Sequence, residues 1–380
     1  MVRRPAWLLE LASTNTFFAG SKATVVAFIL EFSYRVLFQP TMQMRPWLFF
    51  LALVGGCAAG LFPEGAKWEE VSSAGLVTSE GVVADRDGFV YVSDITRPDE
   101  VKQNNPGGTI WRYDPRTRQT TKFMEPSGMA NGLHVDRNGD LLIAQESELG
   151  GGRAIVRRNL RSGAMSVVAN AYQGKRLNSP NDVTSDAQGR VYFSDARYFG
   201  PEPIELPNAI YRADPDGSVV QLSTDIYRPN GIEVSPDGRR LYVSASNLPA
   251  RLVRNPLGPA QDRFGLKLGG VVAYDLDAAG NISNGRVFYR SDHLITDGMA
   301  MDTEGNLYVA AHNGAREPAQ GEIVVLNPAG EVLHKIAPPA GYRPGNLGFG
   351  RGADAGSLYV TTLFRWRLFR MDTNRRGHYW

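Results

Sequence analysis

The stretch RLNSPNDVTSDAQGRVYFSD, Arg176–Asp195, places an Asn-Asp pair before an apolar run, an Asp-x-x-Gly turn and a second apolar run. Two apolar runs on either side of such a turn predict a β-hairpin. The same pattern recurs in EGVVADRDGFVYVSD, NGLHVDRNGDLLIA, NGIEVSPDGRRLYVS, DGMAMDTEGNLYVA and, in a more divergent form, GNLGFGRGADAGSLYVT. The chain is therefore built from a tandem repeat of one hairpin-containing unit.

The spacing of the repeats predicts their architecture. Their first residues are separated by 51, 50, 49, 67 and 48 residues, and most units contain two further strand-like runs, such as TIWRYDP and TTKFME. Four strands in a unit of this length are typical of a propeller blade. Six units closed into a ring leave no exposed sheet edge, so we predict an all-β fold, a six-bladed β-propeller over residues 57–380. Residues 57–79 are too few for a seventh blade, but the segment WEEVSSAG within them could supply a closing strand.

Composition and charge exclude several other classes of protein. Residues 57–380 carry 36 Lys and Arg and 37 Asp and Glu, which gives no indication of nucleic-acid binding. The single cysteine, Cys57, excludes an intramolecular disulfide and a cysteine-based zinc site. No G-x-S-x-G motif with a partnered histidine is present, so a covalent serine or cysteine mechanism is not expected.

The amino-terminal residues 1–56 form an extension that resembles an export segment. Residues 42–56 have a basic residue, a short apolar run and small residues, as a signal peptide does. The sequence VGGC before and including Cys57 also resembles a lipoprotein signal, and ordinary cleavage near Ala59 is the alternative. We expect an exported protein, periplasmic or anchored to a membrane through a lipidated Cys57. Residues 1–41 either precede a true start at Met42 or Met44 or form an amphipathic helix.

The first residue of each repeat has a special position in a propeller. The first strand of every blade lines the central channel, so equivalent residues face one another around the axis. We call these six positions the channel ring, and they are Glu80, Asn131, Asn181, Asn230, Asp297 and Gly345. Carboxylates gathered at one axis repel each other unless a cation lies between them, and carboxylate and amide oxygens are the ligands that Ca²⁺ prefers. A single Asn or Asp there could simply form a turn, but five in one register favour a metal site.

The motifs around these residues resemble the gluconolactonase and regucalcin superfamily, also called the senescence marker protein family. The resemblance covers the chain from Glu80 to its end and implies one divalent cation in the channel, most often Ca²⁺ and in some members Zn²⁺ or Mn²⁺. The family's metal-binding residues match the Glu of SEGVV, the Asn of SPND, the Asn of PNGI and the Asp of DGM. The resemblance therefore implies metal ligation by Glu80, Asn181, Asn230 and Asp297.

The resemblance also implies the activity, which is hydrolysis of lactones or related esters. It gives Asp297 the role of general base and places Asn131 next to the substrate. Asp182 could contact the substrate or only form an Asn-Asp turn, and Arg176 could bind an acidic sugar or only be solvated. The related phosphotriesterases have a channel histidine near the last blade, where this chain has Gly345 and Asn346. His312, at the end of a predicted strand, could reach the channel mouth.

We therefore expect a metal-dependent lactonase that acts on a small sugar lactone. The alternatives are a non-catalytic propeller that binds a protein or glycan, a related esterase or phosphotriesterase, and a strictosidine-synthase-like propeller. The complete set of ring ligands argues against the last class.

Overall fold

The computed structural model of the chain describes residues 60–72, 76, 78–95, 107–146, 151–198, 204–247, 263–363 and 365–380. The predicted signal peptide, the lipidated Cys57 and the domain boundary after residue 56 lie outside these ranges and stay predictions. Among the described residues, no helix has the length and apolarity that crossing a bilayer requires.

Six four-stranded antiparallel sheets follow one another along the chain, as the repeat predicts. The first three blades, from the channel outward, are β2 (Ser79–Ala84), β3 (Val90–Asp94), β4 (Thr109–Asp114) and β5 (Gln119–Met124); β6 (Ala130–Val135), β7 (Leu141–Gln145), β8 (Ala154–Arg158) and β9 (Met165–Ala169); and β12 (Pro180–Ser185), β13 (Val191–Asp195), β14 (Ala209–Ala213) and β15 (Val219–Ser223). A small hairpin, β10 (Ala171–Tyr172) and β11 (Lys175–Arg176), precedes the third blade. The fourth and fifth are β16 (Pro229–Val234), β17 (Arg240–Ser246), β18 (Gly269–Leu276) and β19 (Ile282–Ser291), then β20 (Ile295–Met301), β21 (Leu307–His312), β22 (Gly321–Leu326) and β23 (Val332–Ile336).

The sixth blade joins the two ends of the propeller. Its three inner strands are β24 (Arg343–Phe349), β25 (Ser357–Leu363) and β26 (Leu368–Asp372), and its outer strand is β1 (Glu69–Ser72). Strand β1 pairs antiparallel with β26, with Glu69 opposite Arg370. The closing strand that the sequence predicts in WEEVSSAG is therefore confirmed, and the ring is sealed by backbone hydrogen bonds. The six-bladed fold is confirmed as well.

The Asp-x-x-Gly turns explain why each inner hairpin forms where it does. In the third blade, Asp186 Oδ1 accepts hydrogen bonds from the backbone N–H groups of Gln188 and Arg190, at 2.9 and 3.0 Å. Gly189 has φ +83°, a conformation that side-chain-bearing residues rarely adopt. Tyr192 of the second strand donates its hydroxyl to Asp186 Oδ2 at 3.1 Å. The pair of backbone hydrogen bonds also occurs at Asp85, Asp136 and Asp302, and the tyrosine hydroxyl bond occurs at Asp85 and Asp302.

The apolar core lies between neighbouring blades. One cluster joins Leu142 and Ile155 of the second blade to Val191, Phe193 and Tyr211 of the third. All of these side chains are almost completely buried. Side chains alternate between the two faces of each blade, so one set packs against the preceding blade and the other set against the following blade. The core therefore continues from blade to blade.

A β-bulge occurs at the same place in every inner strand. In all six inner hairpins, the register shifts between the residue before the channel ring and the second residue after it. The extra residue bends the strand and re-aims its side chains. After Glu80 comes Gly81, where a Cβ would lie only 2.3 Å from the carbonyl oxygen of Asn131 in the next blade. The bulge thus brings adjacent backbones into contact around the channel.

The carboxy-terminal segment, residues 374–380, crosses the end of the channel away from the ring. The backbone N–H of His378 donates to Met301 O at 2.8 Å, and Gly377 forms a β-bridge with Asp302 of the fifth blade. Tyr379 donates its hydroxyl to Phe349 O in the sixth blade, and Arg351 lies over its ring at 4.1 Å. The segment therefore links the fifth blade to the sixth.

A cavity of about 40 Å³ lies between the channel ring and this segment. Its lining includes the polar residues Asp182, Glu233, His134 and Asn346, together with Tyr379 of the carboxy-terminal segment. Such a volume accommodates a few water molecules. Burial raises the pKa of Glu233 to about 8, with a further contribution from the Asp182 carboxyl. Burial likewise raises the pKa of Asp182 to about 8 and lowers that of His134 to about 4. All three groups therefore favour their uncharged forms.

Replacing Tyr379 tests whether the carboxy-terminal segment stabilises the propeller. We expect Tyr379→Ala to lower the free energy of unfolding by about 1–3 kcal/mol, because it removes both the ring contacts and the hydrogen bond. Tyr379→Phe should lose about 1 kcal/mol, since only the hydrogen bond is removed. Urea unfolding measures both. Leu333→Ala, at an exposed position, is the control. A Tyr379→Ala variant as stable as this control would contradict a stabilising role for the carboxy-terminal segment.

Glu233 should make the stability of the fold depend on pH. Its pKa rises from the usual 4.5 to about 8 in the folded protein, so between these values the folded state binds more protons than the unfolded state. The contribution of Glu233 to stability is therefore present below about pH 4.5 and is lost as the pH rises towards about 8. Gln carries no such proton, so Glu233→Gln should gain at least about 1 kcal/mol over wild type between about pH 5 and about pH 8.

Urea unfolding at those two pH values measures this difference. Glu64→Gln, at an exposed position, is the matched control and should shift both values equally. A Glu233→Gln variant that differs from wild type by the same amount at both pH values would show that Glu233 is not protonated in the folded protein.

Candidate metal centre and active site

The four predicted metal ligands all lie on inner strands at the channel ring. Their exposed fractions are 7% for Glu80, 5% for Asn181, 6% for Asn230 and 8% for Asp297. They come from the first, third, fourth and fifth blades. The structure thus places these oxygen-bearing side chains at equivalent positions in the channel wall, shielded from bulk water. Their role as ligands remains a prediction.

Hydroxyl groups of the second strands fix the backbone of the ring. A Ser or Thr in one blade donates to the carbonyl oxygen of the ring residue in the following blade. The bonds run from Ser93 to Asn131 at 2.6 Å, Ser194 to Asn230 at 2.6 Å, Ser244 to Asp297 at 2.7 Å and Thr361 to Glu80 at 2.5 Å. The last of these crosses from the sixth blade to the first, so the same bond type also spans the closure of the ring.

A second set of contacts orients the ring side chains. Glu146 Oε1 accepts from Asn181 Nδ2 at 3.4 Å and from Asn131 Nδ2 at 2.8 Å. The amide of Asn230 donates to the Tyr198 hydroxyl at 3.3 Å. Because the NH₂ groups of Asn181 and Asn230 are engaged by protein acceptors, each amide retains its carbonyl oxygen for a cation.

His312 makes the corresponding contact to the ring carboxylate of the fifth blade. Its Nε2 lies 2.9 Å from Asp297 Oδ2, and both residues are buried. The sequence predicted that His312 could reach the channel mouth; the structure places it against the predicted general base. His312 thus contacts one of the two carboxylate oxygens of Asp297, Oδ2.

The surroundings of the sixth ring position explain why this residue is a glycine. A Cβ on Gly345 would lie 3.0 Å from Leu363 Cγ and 3.5 Å from Glu80 Oε2. A larger side chain would therefore crowd the carboxylate of the neighbouring blade. The channel histidine of the related phosphotriesterases has no counterpart at this position.

The donor set fits a hard divalent cation. Among the described residues, no group of three or more His, Cys, Asp or Glu side chains is arranged to hold a metal. A thiolate or imidazole site of the zinc type is therefore not evident in this part of the chain. The ring instead offers two carboxylates and two oriented amide oxygens, which are the oxygen ligands that Ca²⁺ accepts. Glu80 and Asp297 also supply the negative charge that a buried cation requires.

The predicted substrate-contact residues occupy three different environments. Asn131 lies in the ring, where Glu146 holds its amide. Asp182 lines the cavity below the ring, and its Oδ1 accepts from the Val183 N–H at 2.9 Å. Arg176 is exposed on the small hairpin, with Nη2 3.4 Å from Gly152 O. The structure therefore brings only Asn131 into the ring, and the substrate roles of all three residues stay predictions.

Glu146 and Tyr198 are site residues that the sequence analysis did not identify. Both follow the second strand of a blade, and neither occupies the repeated position that marks the channel ring. For Glu146, the available signal was its place directly after β7, at the same end of the sheet as the ring residues.

Comparison with known proteins supports the resemblance described above. The family model for the SMP-30/gluconolactonase/LRE-like region matches residues 78–258 and 267–364. A gluconolactonase of Zymomonas mobilis is 30% identical over 303 residues, which cover 74% of this chain and 75% of that protein.

Two solved structures share the fold. A gluconolactonase from Xanthomonas campestris has 23% sequence identity and a TM-score of 0.62, over 81% of this chain and 90% of its own. A regucalcin from Agrobacterium tumefaciens, a calcium-binding protein, has 18% identity and a TM-score of 0.61, over 84% and 98% of the two chains. With the family model matching well over half of its length, the chain belongs to the SMP-30/gluconolactonase family.

Proposed function

We propose that this protein is a metal-dependent lactonase that opens a sugar lactone at the channel ring. Hydrolysis of a lactone cleaves a carboxylic ester bond, and the chain's family includes the gluconolactonase that resembles it over three quarters of its length. The observation that carries the proposal is the buried ring of Glu80, Asn181, Asn230 and Asp297. Neighbouring side chains hold the amide NH₂ groups of Asn181 and Asn230 and one carboxylate oxygen of Asp297.

The cation would be held by these four side chains, and Ca²⁺ is the first candidate because every donor is an oxygen. Zn²⁺ and Mn²⁺ are the alternatives. When bound, such a cation supplies Lewis acidity, which polarises a carbonyl oxygen and stabilises negative charge that develops on it. The calcium-binding regucalcin with the same fold supports this choice.

The protein's own residues supply the remaining requirements of hydrolysis. Asp297 is the carboxylate at the ring that can accept a proton from the attacking water, and His312 holds its other oxygen. Asn131 lies in the ring and Glu146 contacts it, and their polar atoms can hydrogen-bond to the hydroxyl groups of a sugar lactone. The hydroxyl bonds from the second strands keep these groups in place.

Replacing Asp297 by Asn tests this role. The change keeps the size of the side chain but removes its charge and its ability to accept a proton. We expect weaker binding of Ca²⁺ in titration calorimetry and a loss of lactone turnover of about 10²-fold or more, with an unchanged far-ultraviolet circular dichroism spectrum. Asp292→Asn, at an exposed position shortly before β20, should behave as wild type. Full activity of Asp297→Asn after chelation and dialysis would contradict the proposal.

A substrate panel tests the class of ester. We expect a higher kcat/KM for gluconolactone than for an acyl-homoserine lactone or a fluorophosphate, because the polar atoms of Asn131 and Glu146 suit hydroxyl groups better than an apolar chain. Each substrate is assayed with Ca²⁺, Zn²⁺ or Mn²⁺ supplied. A preference for the fluorophosphate would favour a phosphotriesterase. Cation binding without turnover of any substrate would favour a non-catalytic propeller.

A further inference from the structure

His312 and Asp297 lie on neighbouring strands of the fifth blade, but they are not opposite each other in the strand pairing. His312 is the last residue of β21 and is 4% exposed. In the pairing of β20 with β21 its partner is Ile295, and the bulge between Thr296 and Met299 displaces Asp297 from the regular register. The displaced carboxylate lies 2.9 Å from His312 Nε2. The repeated bulge is therefore what brings this pair together.

The other ring nitrogen of His312 determines which tautomer is present. The backbone N–H of Gly314 donates to His312 Nδ1 at 3.0 Å. A nitrogen that accepts a hydrogen bond carries no proton, so the proton of the neutral imidazole lies on Nε2. His312 consequently donates from Nε2 to Asp297 Oδ2. A histidine fixed in this way is a directional donor to the carboxylate beside it.

Asp297 is thus held by two independent hydrogen bonds. Its side chain accepts from His312, and its carbonyl oxygen accepts from the Ser244 hydroxyl at 2.7 Å. Among the contacts described above that orient proposed ligand side chains, those of Asn181 and Asn230 are longer, at 3.4 and 3.3 Å. The carboxylate given the roles of ligand and base has the shortest orienting contact of the three.

We propose that His312 is a positioning residue that holds Asp297 Oδ2 and directs Oδ1 towards the cation and the attacking water. This inference rests on the proposed function. Partners that hydrogen-bond to metal ligands orient those ligands, and removing such a partner typically lowers metal affinity or activity by about 10–100-fold. His312 acts here through Asp297 and has no contact of its own with the reacting atoms.

A pair of substitutions at His312 separates the hydrogen bond from simple packing. His312→Met fills a similar space without a donor, whereas His312→Gln retains an N–H that can reach Asp297. His293→Met and His293→Gln, at an exposed histidine that precedes β20, are the matched controls. If His312→Met does not fold, His312→Asn takes its place, since its shorter amide does not span the distance to Oδ2.

Calcium affinity is the primary measurement, made by titration calorimetry on the dialysed protein. We expect His312→Met to bind Ca²⁺ about 10–100-fold more weakly than wild type, and His312→Gln to recover most of that loss. The His293 variants should match wild type. Equal affinity of His312→Met and His293→Met would overturn the inference, and so would a His312→Gln variant as weak as the Met variant.

The tautomer of His312 provides a second, independent measurement, because the proposed hydrogen bond requires the proton on Nε2. The chain has five histidines, so long-range ¹H–¹⁵N spectra of histidine-labelled protein can be assigned to His312 by comparison with its Gln variant. We expect the proton on Nε2, and a proton on Nδ1 would overturn the proposal.

The two proposals fail in different ways. If the wild-type protein binds Ca²⁺ but hydrolyses no lactone, the proposed function is wrong and the affinity comparison still decides the role of His312. If it binds none of Ca²⁺, Zn²⁺ and Mn²⁺, both proposals are overturned.

Discussion

The hydrogen bond from a second-strand hydroxyl to the ring carbonyl of the next blade joins the fold to its candidate site. Ser194 donates to Asn230, and Thr361 donates to Glu80 across the closure of the propeller. The residues whose backbones hold adjacent blades together are thus the residues whose side chains line the channel. A disturbance of the packing between blades would therefore move the proposed ligands.

The bulge makes this arrangement possible. It inserts one residue into each inner strand, which turns the ring side chain towards the axis and presses the following residue against the next blade. Gly81 and Gly231 have no room for a Cβ, because one would lie within 2.6 Å of a neighbouring carbonyl oxygen. In the third and sixth blades this position holds Asp182 and Asn346, whose Oδ1 atoms accept from their own following N–H groups. The two polar exceptions occur on opposite sides of the six-bladed ring.

Two pairs of carboxyl groups share the channel under different electrostatic conditions. Glu80 and Asp297 belong to the ring, where amide oxygens and a histidine donor accompany them. Asp182 and Glu233 line the cavity below it, where burial raises the pKa of both. A buried carboxylate requires either a cation or a proton. We infer that the upper pair uses a cation, whereas the lower pair keeps protons near neutral pH.

The sequence by itself determined the number of blades, the closing strand and the set of ring residues. Each of these follows from a repeat with a fixed register, because equivalent positions in a closed ring must face the same axis. Only the tertiary structure decided that His312 holds Asp297, that Glu146 and Tyr198 hold the ring amides, and that Asp182 faces the lower cavity. His312 ends a second strand, Glu146 and Tyr198 follow second strands, and Asp182 is the residue after the ring position. The repeats differ from one another at these places. Their partners are set by the bulge and by the packing of one blade against the next, which no local pattern records.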